Sequence, residues 1–369
     1  MILICTSFDS HQRPLRTIIR NGDQTIVVDL YVKGTHKNLH GVHEDIKRIR
    51  KLIESQEVIL NNFKYHLQAF GLDPTLFYRI YDNPIPCDSS DVSMAKCLCK
   101  LMRDGSHKWM KILAEASQIY QILEDRGVDY DSKILYPKYH TTTFTGRSKV
   151  TGYNIQGQTY DKYISHVNHH NDYFICFDWI SADLRAASIL SEDELLTWCF
   201  EHNDPYSYLA EKNGLDRDEV KLSLFRGIYS LQANPMVEEF EKLCSWIDKK
   251  HCDIQEQSKS VSLLGRIFKG RNDKSLFNAQ MQGTVAHAMQ SVLWRSAKEY
   301  VSNIFTENHD ALVMCCQHDE VESTIDHIAP IMCFPFEGIL ESNPMFPTSI
   351  KVGRYWKKWY EVDRIKLTQ

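Results

Sequence analysis

The sequence has no long apolar run. No stretch approaches the ~18 consecutive apolar residues of a membrane span. The N-terminal MILICTS is apolar, but it is too short for a signal-peptide core and has no basic flank, so it reads as a buried strand. CxxC and HExxH are both absent. The 11 cysteines, an odd number scattered along the chain, read as reduced thiols of an intracellular protein, not as a disulfide framework or zinc site. There is no basic excess either. Against 48 Asp+Glu stand 43 Lys+Arg, a net charge of -5, which by itself argues mildly against a nucleic-acid binder. Internal repeats and low-complexity segments are missing, which excludes solenoid, collagen-like and disordered classes.

What is present is a globular composition, 43% hydrophobic and 25% charged, over 369 residues. That length suits two or three domains. Strands are expected at 2–7, 25–32 and 58–60, with a Gly-Asp turn at 22–23. Amphipathic helices are expected at 43–56 and from 62, so residues 1–105 read as an α/β module. Helices follow near 91–103 and 107–126, the second stopping at Gly127. Residues 132–172 read as irregular. Phe174–Asp178 is an apolar strand ending on an acid. Helices dominate 191–258, a long helix is expected over 277–305, and 311–323 reads as a hairpin turning at Gln317-His318.

Two acidic motifs stand out. FDWISADLR at 177–185 puts Asp178 at a strand end, and HDE at 318–320 would lie at the hairpin tip. Two carboxylates brought together in this way can hold two divalent cations, which clamp both oxygens of an in-line phosphoryl displacement. Between them, Arg217, Lys221, Phe225 and Tyr229 recur every four residues and form one helical stripe about 18 Å long. Two cations at one end and two aromatics at the other suit a nucleoside triphosphate.

In this order the motifs resemble those of family A (DNA polymerase I-like) DNA polymerases. TGRSKVTGYNIQG at 145–157 is similar to that family's TGR…NLQ segment, LLGRIFKG at 263–270 to its GR turn, NAQMQGT at 278–284 to its NAPxQGT helix start, and IKVGRYW at 350–356 to its closing VGxxW. The resemblance implies an α+β fold: an N-terminal RNase H-like exonuclease remnant over 1–105, then a polymerase palm built on an antiparallel sheet (106–190 and 276–369) with helical fingers (191–275).

The resemblance also implies roles. Asp178 and Asp319 would bind two Mg²⁺ ions, with Mn²⁺ as a substitute, and Glu320 would support them. Arg217 and Lys221 would hold the triphosphate, Lys221 also donating a proton to the leaving pyrophosphate. Phe225 and Tyr229 would pack on sugar and base. Arg147, Gln156, Lys274, Asn278, Gln282 and His318 would contact primer-template DNA.

Several positions depart from the family pattern. Asp183 replaces a Glu that gates the sugar, which implies looser exclusion of the ribose 2′-hydroxyl. Tyr206 stands where a triphosphate-contacting His is usual, and Lys274 replaces an Arg. Only 13 residues separate Asp131 from Thr145, too few for a helical thumb. NNFKYH at 61–66 resembles the exonuclease NxKYD, but His66 replaces the metal-binding Asp.

The expected protein is therefore a template-directed DNA polymerase that uses deoxynucleoside triphosphates, lacks proofreading and thumb, and works distributively. It would work alone, by self-association or with a processivity partner, in the cytoplasm of a bacterial or phage-infected cell. The alternatives are a loosely templated nucleotidyltransferase and a non-catalytic polymerase-like DNA-binding subunit.

Overall fold

The computed structural model describes residues 2–8, 14–21, 24–29, 47–49, 51, 58–60, 80–82, 107–130, 133–140, 143–158, 173–230 and 235–362. The chain divides into two compact units, Met1–Gln118 and Ile119–Gln369. No helix among the described residues is long and apolar enough to cross a membrane.

In the first unit, β1 (Ile2–Phe8), β2 (Pro14–Asn21), β3 (Gln24–Asp29), β4 (Val58–Leu60) and β5 (Ile80–Asp82) form one mixed sheet in the order β3-β2-β1-β4-β5. The first three strands pair antiparallel, and β4 and β5 add in parallel. β1, β3 and β4 lie where the β-branched runs put them. β2 falls within residues 1–34, which read as strands, but its bounds were not set from sequence, because its Pro14 and its arginines at 16 and 20 interrupt the apolar run. Residues 47–49 and 51 are helical, as expected. The 22–23 turn, the helices at 62–70 and 91–103, and NNFKYH with His66 lie outside the described residues.

Helix α1 (His107–Arg126) ends at Gly127, whose φ of +72° suits a residue without Cβ. In the second unit the Arg126 guanidinium binds the Ser302 carbonyl at 2.8 Å and the Ile304 carbonyl, tying the helix end to the start of a strand. The stretch expected to be irregular holds two small hairpins, β6 (Val128–Tyr130) with β7 (Lys133–Leu135) and β8 (Pro137–His140) with β9 (Lys149–Gly152).

The centre of this unit is a five-stranded sheet in which every neighbouring pair runs antiparallel. Its strands are β10 (Tyr173–Trp179), β13 (Ile304–Asn308), β14 (Ala311–Cys316), β15 (Thr348–Tyr355) and β16 (Lys358–Val362), in the order β13-β14-β10-β15-β16. The short pair β11 (Lys259–Val261) and β12 (Ile267–Lys269) stands apart. Helices fill 182–257: α2 (Ala182–Ser191), α3 (Glu194–His202), α4 (Pro205–Asn213), α5 (Arg217–Ser230), α6 (Pro235–Glu238) and α7 (Glu241–Gln257). Helix α8 (Asp273–Tyr300) packs on α2, α7 and the central sheet, and α9 (Val321–Cys333) packs on β10 and β15.

Two expectations are corrected. The long helix ends at Tyr300, not at 305, because the β-branched-rich run after it enters β13 with Phe305 inside the strand. The hairpin expected at 311–323 does not exist. β14 leads into one 3-10 turn, His318–Glu320, and then α9, because Ile325, Ile328, Ala329 and Met332 recur at helical spacing and are buried. The hairpin lies one strand earlier, between β13 and β14, with His309-Asp310 at its tip.

The TGR segment at 145–147 and the GR turn at 265–266 pack on each other. Gly146 has φ +86°, and a Cβ there would run into the Arg266 guanidinium. Arg266 also donates to the Thr143 carbonyl at 3.1 Å, and Gln290 donates to the Gly146 carbonyl at 3.0 Å. At Gly353 a Cβ would sit 2.3 Å from the Lys358 carbonyl and 3.0 Å from the Trp359 ring. Because part of that obstacle is backbone, Gly353→Ala should cost about 1–3 kcal/mol through loss of the β15–β16 register. Urea unfolding checks this, and an unchanged midpoint and slope would contradict the close approach.

Candidate active site

Alternation along β10 sends Ile175, Phe177 and Trp179 to one side. There the Trp179 indole donates to the Met332 carbonyl at 2.8 Å. Asp178 faces the other way and is a third exposed. It pairs across the sheet with Ala311, the first residue of β14. The next backbone N–H, that of Trp179, donates to the Asp310 carbonyl at 3.0 Å. The hairpin tip is thereby fastened to the end of β10, and Asp178 and Asp310 come together. His309 turns the tip with φ +62°.

Asp178 acts on Asp310. Burial pushes the Asp310 carboxyl up to about 6, and the charge of Asp178 adds to the rise. His309 is held below its ordinary value, first by burial and then by the charge of Arg147. Arg147 pairs with Asp183 Oδ1 at 2.5 Å, and the Tyr229 hydroxyl donates to Asp183 Oδ2, so both oxygens of Asp183 are engaged. Burial, then the charge of Asp183, raises the Tyr229 phenol. On the neighbouring strand, Lys351 Nζ lies 3.1 Å from Asp178 Oδ2.

Behind the tip sits Glu307, buried on β13. It accepts from the Tyr120 hydroxyl at 3.1 Å, the Ser148 hydroxyl, Gln156 Nε2 at 3.3 Å and the His309 N–H at 2.8 Å. Four donors from three chain segments and the hairpin itself thus fix the tip on one carboxylate. Burial still pushes that carboxyl up to about 7, against the pull of the His309 N–H and the Tyr120 hydroxyl.

The structure keeps the stripe on α5 together. Phe225 and Tyr229 stack at 5.7 Å, and the Tyr206 ring lies under both Arg217 (5.4 Å) and Lys221 (5.8 Å). Arg217 Nε also binds Asp204 at 2.8 Å. Tyr206 is 1% exposed and burial raises its phenol to about 12, so it forms the floor beneath the two cations and does not present its hydroxyl outward. A cavity of about 1010 Å³ opens beside Arg217 and Asp204 and reaches the buried Arg185, but it is lined by neither Asp178 nor Asp310.

Between residues 276 and 293 of α8, only Asn278 and Gln282 are not fully buried. With the exposed Lys274 they recur every four residues and form the helix's open face. Gln156 points inward to Ser148 and Glu307, so it braces the site and leaves no amide facing outward.

His318, Asp319 and Glu320 are not part of this site. All three are exposed in the 3-10 turn that starts α9, where the Glu320 carboxylate accepts from the Gln317 N–H at 3.1 Å in a capping box. His318 packs its ring 5.1 Å from Tyr173, at the start of β10. Five strand steps separate Tyr173 from Asp178, about 17 Å. The pairing of Asp178 with Asp319 expected from sequence is therefore replaced by Asp178 with Asp310.

Sequence reasoning missed Asp310, His309, Glu307 and Lys351. A signal for the first two was present: His-Asp occurs twice, at 309–310 and 318–319, and only the earlier pair lies between two strand-like runs, IFTEN and ALVMCC.

No protein family and no curated protein matches the chain in sequence. Among solved structures it is similar to the POL domain of Pol1 from M. smegmatis in complex with DNA primer-template and dNTP. That match has a TM-score of 0.60 and 12% identity, and it covers 97% of this chain and 96% of that one. The likeness establishes a polymerase-domain fold.

Glu307 gives this site a pH signature. Its folded value lies above its ordinary 4.5, so its share of stability is complete below about 4.5 and is lost as pH rises toward 7. Gln does not titrate, so in metal-free protein Glu307→Gln should gain stability relative to wild type between pH 5 and 7. Urea unfolding at the two pH values measures this, and a constant difference would contradict it.

Proposed function

We propose that the chain is a template-directed DNA polymerase of the family A kind, adding deoxynucleotides to a primer 3′-hydroxyl. The observation that carries this reading is the meeting of Asp178 and Asp310 at the end of an antiparallel sheet, within a polymerase-domain fold that also presents the Arg217-Lys221-Phe225-Tyr229 stripe.

The residues fit divalent cations. Among the described residues no cluster of three or more His, Cys, Asp or Glu is preassembled, so protein oxygens alone do not complete a coordination shell. Two hard carboxylate donors, of which Asp310 has its proton affinity raised by burial and by the charge of Asp178, are nevertheless what Mg²⁺ or Mn²⁺ takes with substrate phosphates. Asp178 and Asp310 would hold the ions. When bound, such ions lower the pKa of the primer hydroxyl and neutralise charge on the triphosphate.

The chain's own residues do the rest. Arg217 and Lys221 bind the triphosphate, and Lys221 gives a proton to the departing pyrophosphate. Phe225 and Tyr229 pack against base and sugar. Asp183, held by Arg147 and Tyr229, stands beside the sugar as a short gate. The contact with the primer terminus, which the resemblance gives to His318, passes to His309, whose Nδ1 is buried with no hydrogen-bond partner among the described residues. Lys274, Asn278 and Gln282 face the duplex from α8, with Arg147 beside them.

Residues 106–190 and 276–369 form the palm, and 191–275 the fingers. The mixed first sheet supports an RNase H-like domain, and His66 in place of an acid supports the loss of proofreading. With no thumb, synthesis is distributive unless a partner protein or a second copy of the chain grips the product.

Primer extension tests this. Asp178→Ala and Asp310→Ala should each lower template-dependent extension about a thousandfold or more, while Asp319→Ala stays within about twofold of wild type. Loss of extension in Asp319→Ala with activity kept in Asp310→Ala would refute the assignment. Asp183→Glu should reduce ribonucleotide incorporation relative to deoxynucleotide, and equal discrimination by the two proteins would remove the gate.

A further inference from the structure

We propose that Lys351 is the built-in counter-ion of Asp178, and that it makes metal binding at the Asp178–Asp310 pair depend on arrival of an anionic nucleotide. The proposal rests on the metal-site reading above. The β10–β15 register puts Lys351 opposite Cys176, two residues before Asp178 and therefore on the same face of the sheet. Its ammonium lies 3.1 Å from Asp178 Oδ2, and both side chains are a third exposed. The ammonium engages a carboxylate oxygen that a divalent cation would take, and it adds a like charge next to that cation. Asp310 is in the opposite situation: the charges that raise its carboxyl are those of Asp178 and Asp183, while Arg147 opposes them.

A divalent ion arriving alone must therefore displace Lys351 from Asp178 and then sit beside it. A nucleoside triphosphate arriving with the ion changes the balance, because its phosphates accept the released ammonium. Lys351 thus suppresses metal loading of the empty enzyme and favours joint loading of metal and nucleotide. Its ammonium stays charged throughout, and no bond is made or broken.

The test is equilibrium binding without primer or template, using Mn²⁺ alone and reading free Mn²⁺ by electron paramagnetic resonance. Removing the charge in Lys351→Met should tighten Mn²⁺ binding about tenfold, the order of a partly screened unit charge at this separation. Lys351→Arg keeps the charge and should bind Mn²⁺ like wild type, which separates charge from any effect on folding. With Mn²⁺ saturating, Lys351→Met should bind a deoxynucleoside triphosphate severalfold more weakly than wild type, because the ammonium released from Asp178 is no longer there to take a phosphate. Unchanged or weaker Mn²⁺ binding by Lys351→Met overturns the proposal and leaves the metal site standing. Equal Mn²⁺ binding by wild type and Asp178→Asn overturns both, since Asp178 is then not a ligand.

Discussion

The hydrogen bond from the Trp179 N–H to the Asp310 carbonyl, together with the Asp178–Ala311 pairing beside it, is the constraint on which the site depends. An antiparallel ladder fixes which residue faces which, and a slip of one residue would turn Asp178 into the core. With the register set, a strand end and a hairpin tip must meet, and each brings a carboxylate. Burying a carboxylate and bringing a like charge beside it are both unfavourable, and the rise of Asp310 to about 6 reflects burial first and the charge of Asp178 second.

The surroundings offset this locally. Lys351 balances Asp178, Arg147 balances Asp183, and Glu307 holds the tip through the His309 N–H. The same parts serve two ends. The Arg147–Asp183–Tyr229 chain links the sheet end to α5, so the residues that set the charge beside the carboxylate pair also fix the aromatic face of that helix. The glycines at 146 and 353 let guanidinium and carbonyl groups approach closely where a side chain would hold them apart.

Much of this arrangement was legible in the sequence. The strand ending on Asp178 follows from an apolar run stopped by an acid, and the α5 stripe from a spacing of four. The polymerase-domain fold followed from motif order, despite a net charge that argued the other way. What failed was the choice between two His-Asp pairs. At 318–320 a Glu completes a familiar triplet, and that local pattern outweighed the helical periodicity just after it. A strand pairing is a long-range fact, and nothing local to Asp310 says that it faces Asp178. Lys351 and Glu307 escaped notice for the same reason, since each owes its role to partners on other elements.

The claim that a metal binds between Asp178 and Asp310 can be tested without activity. Fe²⁺ loaded in place of Mg²⁺, with ascorbate and peroxide, cleaves backbone near the bound ion. The account predicts cuts at the end of β10 and at the β13–β14 tip, around residues 178 and 310, and none around 319. Cleavage centred on 318–320, with the 309–311 turn intact, would contradict it.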